Sequence, residues 1–77
     1  MEDFEFTKLH DWGLRVSRLI ELIALTNRTI RIHQEHEGSL SQINDYKLLL
    51  AKHQKELNGL MHEYGLSVNI QPLESAA

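Results

Sequence analysis

The hydrophobic residues between positions 9 and 32 recur at the three- and four-residue spacing of an amphipathic helix. Read in heptads, they form one apolar seam that consists of Leu9, Trp12, Val16, Leu19, Ile23, Thr26 and Ile30. At about 100° per residue, a second set falls on the nearly opposite side and consists of Leu14, Leu22, Leu25 and Ile32. A helix that is apolar on two sides is expected to be buried on two sides.

A second amphipathic stretch follows, and it is apolar on one side only. Its apolar arc consists of Ile43, Tyr46, Leu49, Leu50, His53, Leu57, Leu60, Met61 and Tyr64, with Leu48 outside it. A helix of this kind can cover only one side of the first helix. One set of apolar side chains is therefore left for another chain: either Val16, Leu19 and Ile23, or Leu14, Leu22, Leu25 and Ile32.

Capping residues predict where the two helices begin and end. The first helix is predicted over about residues 7–37, with Thr7 as its N-cap and Asp11 as the alternative N-cap. Gly38 suits the left-handed residue that follows many helices.

The second helix is predicted over about residues 40–64. Ser39 and Gln42 have the spacing of a capping box, in which each side chain bonds to the backbone N–H of the other. Gly65 is the predicted stop signal. Because the turn at 38–39 is so short, the two helices must run antiparallel.

Both ends of the chain alternate apolar and polar residues, as short strands do. Phe4 and Phe6 alternate with acidic residues, and Val68 and Ile70 lie in a segment predicted to be extended over 66–72. An antiparallel hairpin brings these segments to the same end. We therefore expect them to pair as a two-stranded ribbon over the tryptophan of the first helix, which closes the open end of the hairpin.

The predicted fold is all-α: a single domain over residues 1–77, built as a two-helix antiparallel hairpin with short extended termini that dimerises into a four-helix bundle. A core in a chain of 77 residues supplies only about 3–5 kcal/mol, so small domains are usually reinforced. The chain has no cysteine, which excludes disulfides and thiolate metal sites. Self-association is the simplest remaining reinforcement, and the expected partner is a second copy in a two-fold homodimer.

Charge and hydropathy argue against two classes of partner. The net charge is −3, and the arginines of the first helix are interleaved with glutamates, whereas nucleic-acid binding needs a clustered positive face. No apolar run reaches the roughly 18 residues of a membrane span, and the acidic start is unlike a signal peptide. We expect a cytoplasmic protein that binds neither nucleic acid nor membrane.

The histidines are the candidates for chemistry. His33 and His36 are three residues apart on a helix, close enough to share a metal ion, with Glu37 as a possible third ligand. The motifs of di-iron bundles and zincins are absent, so surface histidines at a helix end are the favoured interpretation. His53 lies within the apolar arc and is interpreted as a buried histidine with a hydrogen-bonded neighbour, because no nucleophile or carboxylate is positioned beside it.

The function expected from these features is that of a homo-oligomerising interaction module, an adaptor or regulatory subunit without catalytic activity or cofactor. A first alternative is a helical bundle that binds a metal or small ligand through His33, His36 or His53. A second alternative is an antitoxin-like or regulatory partner of another protein, which would use an exposed apolar patch that includes Leu48.

Overall fold

The computed structural model describes residues 2–73 and the side chains of residues 5–73. Two helices make up most of this part: α1 over Glu2–Glu35 and α2 over Leu40–His62. They pack against each other as an antiparallel hairpin, and residues 2–73 contain no strand. The predicted all-α hairpin is confirmed.

The contact between the helices uses the first of the two apolar sides of α1. Buried side chains recur at heptad positions, and they are Val16, Leu19, Ile23, Thr26 and Ile30 on α1 and Ile43, Leu50, Leu57 and Leu60 on α2. Steps of three and four residues keep these side chains on the facing sides of both helices. Thr26 is the polar member of this core. The core is one layer of side chains, so grooves run along both edges of the hairpin.

The first helix begins earlier than the sequence pattern predicts. Residues 2–6, predicted to be extended, form its first turns, and Thr7 lies inside the helix instead of at its N-cap. Adding turns to an existing helix requires no new nucleation. The short alternation of aromatic and acidic residues is therefore too weak to keep this segment extended. With 34 residues against 23, α1 is longer than α2 by about 16 Å at a rise of 1.5 Å per residue. The first turns of α1 therefore extend beyond the end of α2.

The turn between the helices places its left-handed residue one position earlier than predicted. Glu37, with φ 51°, has this conformation, and Gly38 follows it. The Gly38 N–H donates to the carbonyl oxygen of His33 at 2.6 Å, which is the hydrogen bond that defines a Schellman motif. Gly38 is required for space: an added Cβ would lie 2.6 Å from Nδ1 and 2.9 Å from Cβ of His33.

The ends of α2 lie close to their predicted positions. Ser39 is the N-cap, but its side chain makes no capping hydrogen bond, so this half of the predicted capping box is wrong. At the other end, Gly65 has φ 70°. The Leu66 N–H donates to the carbonyl oxygen of Met61 at 3.0 Å, as a Schellman motif requires.

Aromatic side chains close the open end of the hairpin, as predicted for Trp12. The indole Nε1–H of Trp12 donates to the carbonyl oxygen of Leu60 at 2.6 Å. That carbonyl belongs to the last turn of α2, where oxygens lack a full set of helical partners. The Trp12 ring also contacts the ring of Tyr64, with centroids 4.6 Å apart and planes tilted by 56°.

The segment after Gly65 does not form the predicted ribbon with the N-terminal segment. Val68 and Ile70 are half-buried and pack against the hairpin core. Successive tail residues lie beside Asn58 and then Gln54, so the tail runs back along α2 towards the turn. Residues 2–6 are helical, and the Phe4 side chain lies outside the described side chains. Val68 and Ile70 pack in an edge groove of the hairpin and therefore do not pair with the N-terminal segment.

Candidate functional site

The second apolar side of α1 is exposed. Leu14, Leu25 and Ile32 keep 57%, 60% and 44% of their surface accessible, and Leu22 is half-buried. We call these four residues the outer row. By contrast, the alternative interface set is covered by α2 within the same chain, and it consists of Val16, Leu19 and Ile23. The hairpin therefore uses one apolar side of α1 for its own core and leaves the other accessible.

Polar side chains beside the outer row already have ion-pair or hydrogen-bond partners within α1. Arg18 and Glu21 lie between Leu14 and Leu25 and form an exposed ion pair, with Nη1 and Oε2 3.6 Å apart. The Thr29 hydroxyl donates to the carbonyl oxygen of Leu25 at 3.0 Å, so its donor is used within the helix. If a partner covers this side of α1, the Thr29 hydroxyl therefore still has its hydrogen-bond acceptor.

The two edge grooves of the hairpin differ in what fills them. One holds the tail, with Val68 and Ile70 against the core. The other is open in the described part of the chain, and it is lined by Leu14, Arg15, Arg18, Leu19, Leu22, Glu56 and Leu60. Two members of the outer row line this open groove. The open groove therefore adjoins the outer row.

The residues that could hold a metal are not gathered into a site. The His33 ring stacks on the Tyr46 ring, with centroids 5.4 Å apart, and its side chain also fills the space beside Gly38. His36 and Glu37 are exposed. Within residues 2–73, no group of three or more histidine, aspartate or glutamate side chains is placed to hold a metal ion.

His53 lies in the core side of α2 but differs from its predicted state. It is half-buried, and its Nδ1 atom is buried without a hydrogen-bond partner. The expected hydrogen-bonded neighbour of this nitrogen is therefore absent among the described residues. A buried nitrogen without a partner costs stability.

Leu48 is 71% exposed on the outer side of α2. Single exposed leucines are common on proteins, so this residue alone does not mark a partner surface. The outer row differs because its members repeat along one side of a helix.

The sequence interpretation missed the role of two amides on α2. Gln54 Nε2 donates to the carbonyl oxygen of Ile70 at 2.7 Å, and Asn58 Oδ1 accepts from the N–H of Val68 at 3.4 Å. The sequence signal for this contact was the spacing: Gln54 and Asn58 are four residues apart on a helix, and the apolar residues of the tail are two residues apart.

No known protein family, curated protein or solved structure matches this chain. No helix within residues 2–73 combines the length and apolar character needed to cross a membrane.

Proposed function

We propose that this protein is a self-associating helical hairpin, an interaction module without catalytic activity, in which the outer row of α1 binds the outer row of a second copy. The observation that carries the proposal is the exposure of Leu14, Leu25 and Ile32 along one side of α1. Fully burying a leucine or isoleucine contributes about 1.5–3 kcal/mol. Burial of the exposed surface in two copies of the row is comparable with the stability of a chain of this length.

The order of residues along the outer row supports a second copy as the partner. Leu14 stands four residues before Arg18, and Leu25 stands four residues after Glu21. When two such helices cross antiparallel about a two-fold axis between Leu19 and Ile20, Leu14 meets Leu25 of the second copy. Arg18 then meets Glu21 of the second copy. Self-complementarity of this kind is what a two-fold interface requires, and the charges would set its orientation more than its affinity.

The test of this surface compares two exposed leucines. We expect Leu25→Glu to convert the dimer to a folded monomer, because it places a charge in the interface while leaving the hairpin core intact. Leu48→Glu is the matched control, since Leu48 is also exposed but lies on the outer side of α2. Glu21→Lys should leave the dimer assembled, because exposed ion pairs contribute little.

Sedimentation equilibrium with circular dichroism separates the outcomes. A Leu25→Glu protein that remains dimeric would refute the outer row as the interface. Dissociation by Leu48→Glu would move the interface to α2.

A further inference from the structure

The groove that holds the tail has the features of a site for an extended peptide. It runs between the helices on the edge opposite the open groove. Its lining includes Asn27, Arg31, Lys47, Leu50, Gln54 and Asn58. Val68 and Ile70 are half-buried in it, and Pro72 and Leu73, which are exposed, lie beside its far end near the turn.

The spacing of the tail matches the spacing of α2. Val68 lies beside Asn58, and Ile70 lies beside Gln54. Two residues of extended chain advance by about 6.6 Å, and four residues of helix advance by about 6 Å. Each turn of α2 therefore meets every second residue of an extended segment.

The polar contacts in this groove are made to backbone atoms. Gln54 donates to a carbonyl oxygen and Asn58 accepts from an N–H. Contacts of this kind are independent of the ligand's side chains, so sequence preference comes from the two apolar contacts. The far end adds a charge preference, because Arg31 and Lys47 line it around Pro72 and Leu73. A carboxylate just after that position is favoured.

We propose that this groove binds an extended segment of a partner protein, with apolar side chains at alternate positions and an acidic group at the end near the turn. The tail of this chain is the resident competitor, and a partner must displace it. Its hold is limited: the Val68 and Ile70 side chains are half-buried, and one of its two hydrogen bonds is 3.4 Å long. The tail begins directly after Gly65, whose φ of 70° ends α2. This site is separate from the outer row and does not depend on self-association.

The experiment uses the full chain with a released tail. The variant carries Val68→Ser and Ile70→Ser, which remove the apolar contacts. The probe is a fluorescent synthetic peptide with the sequence of residues 66–74. A tethered competitor acts at an effective concentration on the order of millimolar. We therefore expect the released-tail variant to bind the probe about tenfold or more tightly than the native chain does.

Further variants locate the binding. Gln54→Ala with Asn58→Ala, added to the released-tail variant, should abolish saturable binding, whereas Gln42→Ala, an exposed position outside the groove, should not. A peptide with serine in place of its valine and isoleucine should not bind. If the double serine variant fails to fold by circular dichroism, Ile70→Ser alone replaces it, and the side-chain amide signals of Gln54 and Asn58 report peptide binding by NMR.

Three results would overturn this proposal. They are no saturable binding to the released-tail variant, equal affinity for native and released-tail chains, and a fall in oligomeric mass when the tail is released. The last result would mean that a second copy holds the tail. An unchanged mass together with no peptide binding would refute the groove alone and leave the outer-row proposal intact.

Discussion

The turn between the helices allows a sharp test, because two adjacent residues are expected to respond oppositely to substitution. Glu37 has φ 51°, a conformation that glycine adopts freely. Gly38 is needed because a Cβ there would lie 2.6 Å from Nδ1 of His33. We expect Glu37→Gly to stabilise the hairpin and Gly38→Ala to destabilise it.

The sizes follow from the geometry. A left-handed residue other than glycine costs about 1–2 kcal/mol, and glycine gives back about 0.5–1 kcal/mol in backbone entropy. Glu37→Gly should therefore raise the free energy of unfolding by about 0.5–1 kcal/mol. Gly38→Ala forces atoms of His33 to move, and overpacking of this kind costs about 1–3 kcal/mol. In a domain of this size, 1 kcal/mol shifts the melting temperature by about 4–8 °C.

Urea and thermal unfolding, followed by circular dichroism, measure both effects. All variants are compared at one protein concentration, because the stability of an oligomer depends on concentration. Gly59→Ala is the matched control: it lies inside α2 with nothing within 4 Å of the added Cβ. It should stabilise by about 0.5–1 kcal/mol. A Gly38→Ala protein as stable as the native chain would refute the argument, as would a destabilising Glu37→Gly.

Three further predictions concern the core and the histidines. His53→Leu should raise the free energy of unfolding by about 1 kcal/mol, because it removes a buried nitrogen without a partner; urea unfolding measures this, and His53→Ala, which also removes packing, should not stabilise. Trp12→Phe should lower the free energy of unfolding by about 1 kcal/mol, because the hydrogen bond to the Leu60 carbonyl oxygen is lost. An unchanged midpoint of urea unfolding would contradict this expectation. The melting temperature should be the same with and without EDTA, because helix packing accounts for the fold; a drop of many degrees, absent in a variant with His33→Ala and His36→Ala, would favour a metal site.

The sequence predicted the parts of this fold that depend on periodicity. Heptad spacing identified the seam of α1 around Val16, Ile23 and Ile30, because both sides of a helix pair follow the same repeat. The outer row was visible for the same reason. Which of the two apolar sides α2 covers depends on the direction in which the turn returns the chain, and periodicity does not determine that direction.

The errors concern contacts made through space. The frequency of glycine at the left-handed position after a helix favoured Gly38 for that conformation. In the structure, Gly38 is instead needed because the His33 side chain lies too close to leave room for a Cβ. Val68 lies in a tail segment whose apolar and polar residues alternate as in a strand. It packs in a groove between the helices, and that groove exists only after the helices have paired. The orphaned nitrogen of His53 likewise depends on what faces it.

The mass of the native protein in solution tests the central proposal most directly. Light scattering at micromolar concentration should give twice the 9.0 kDa of one chain, and Leu25→Glu should give the mass of one chain with its helical content retained. If the native protein has the mass of a single chain at that concentration, the outer row does not hold two copies together and the proposed self-association is wrong.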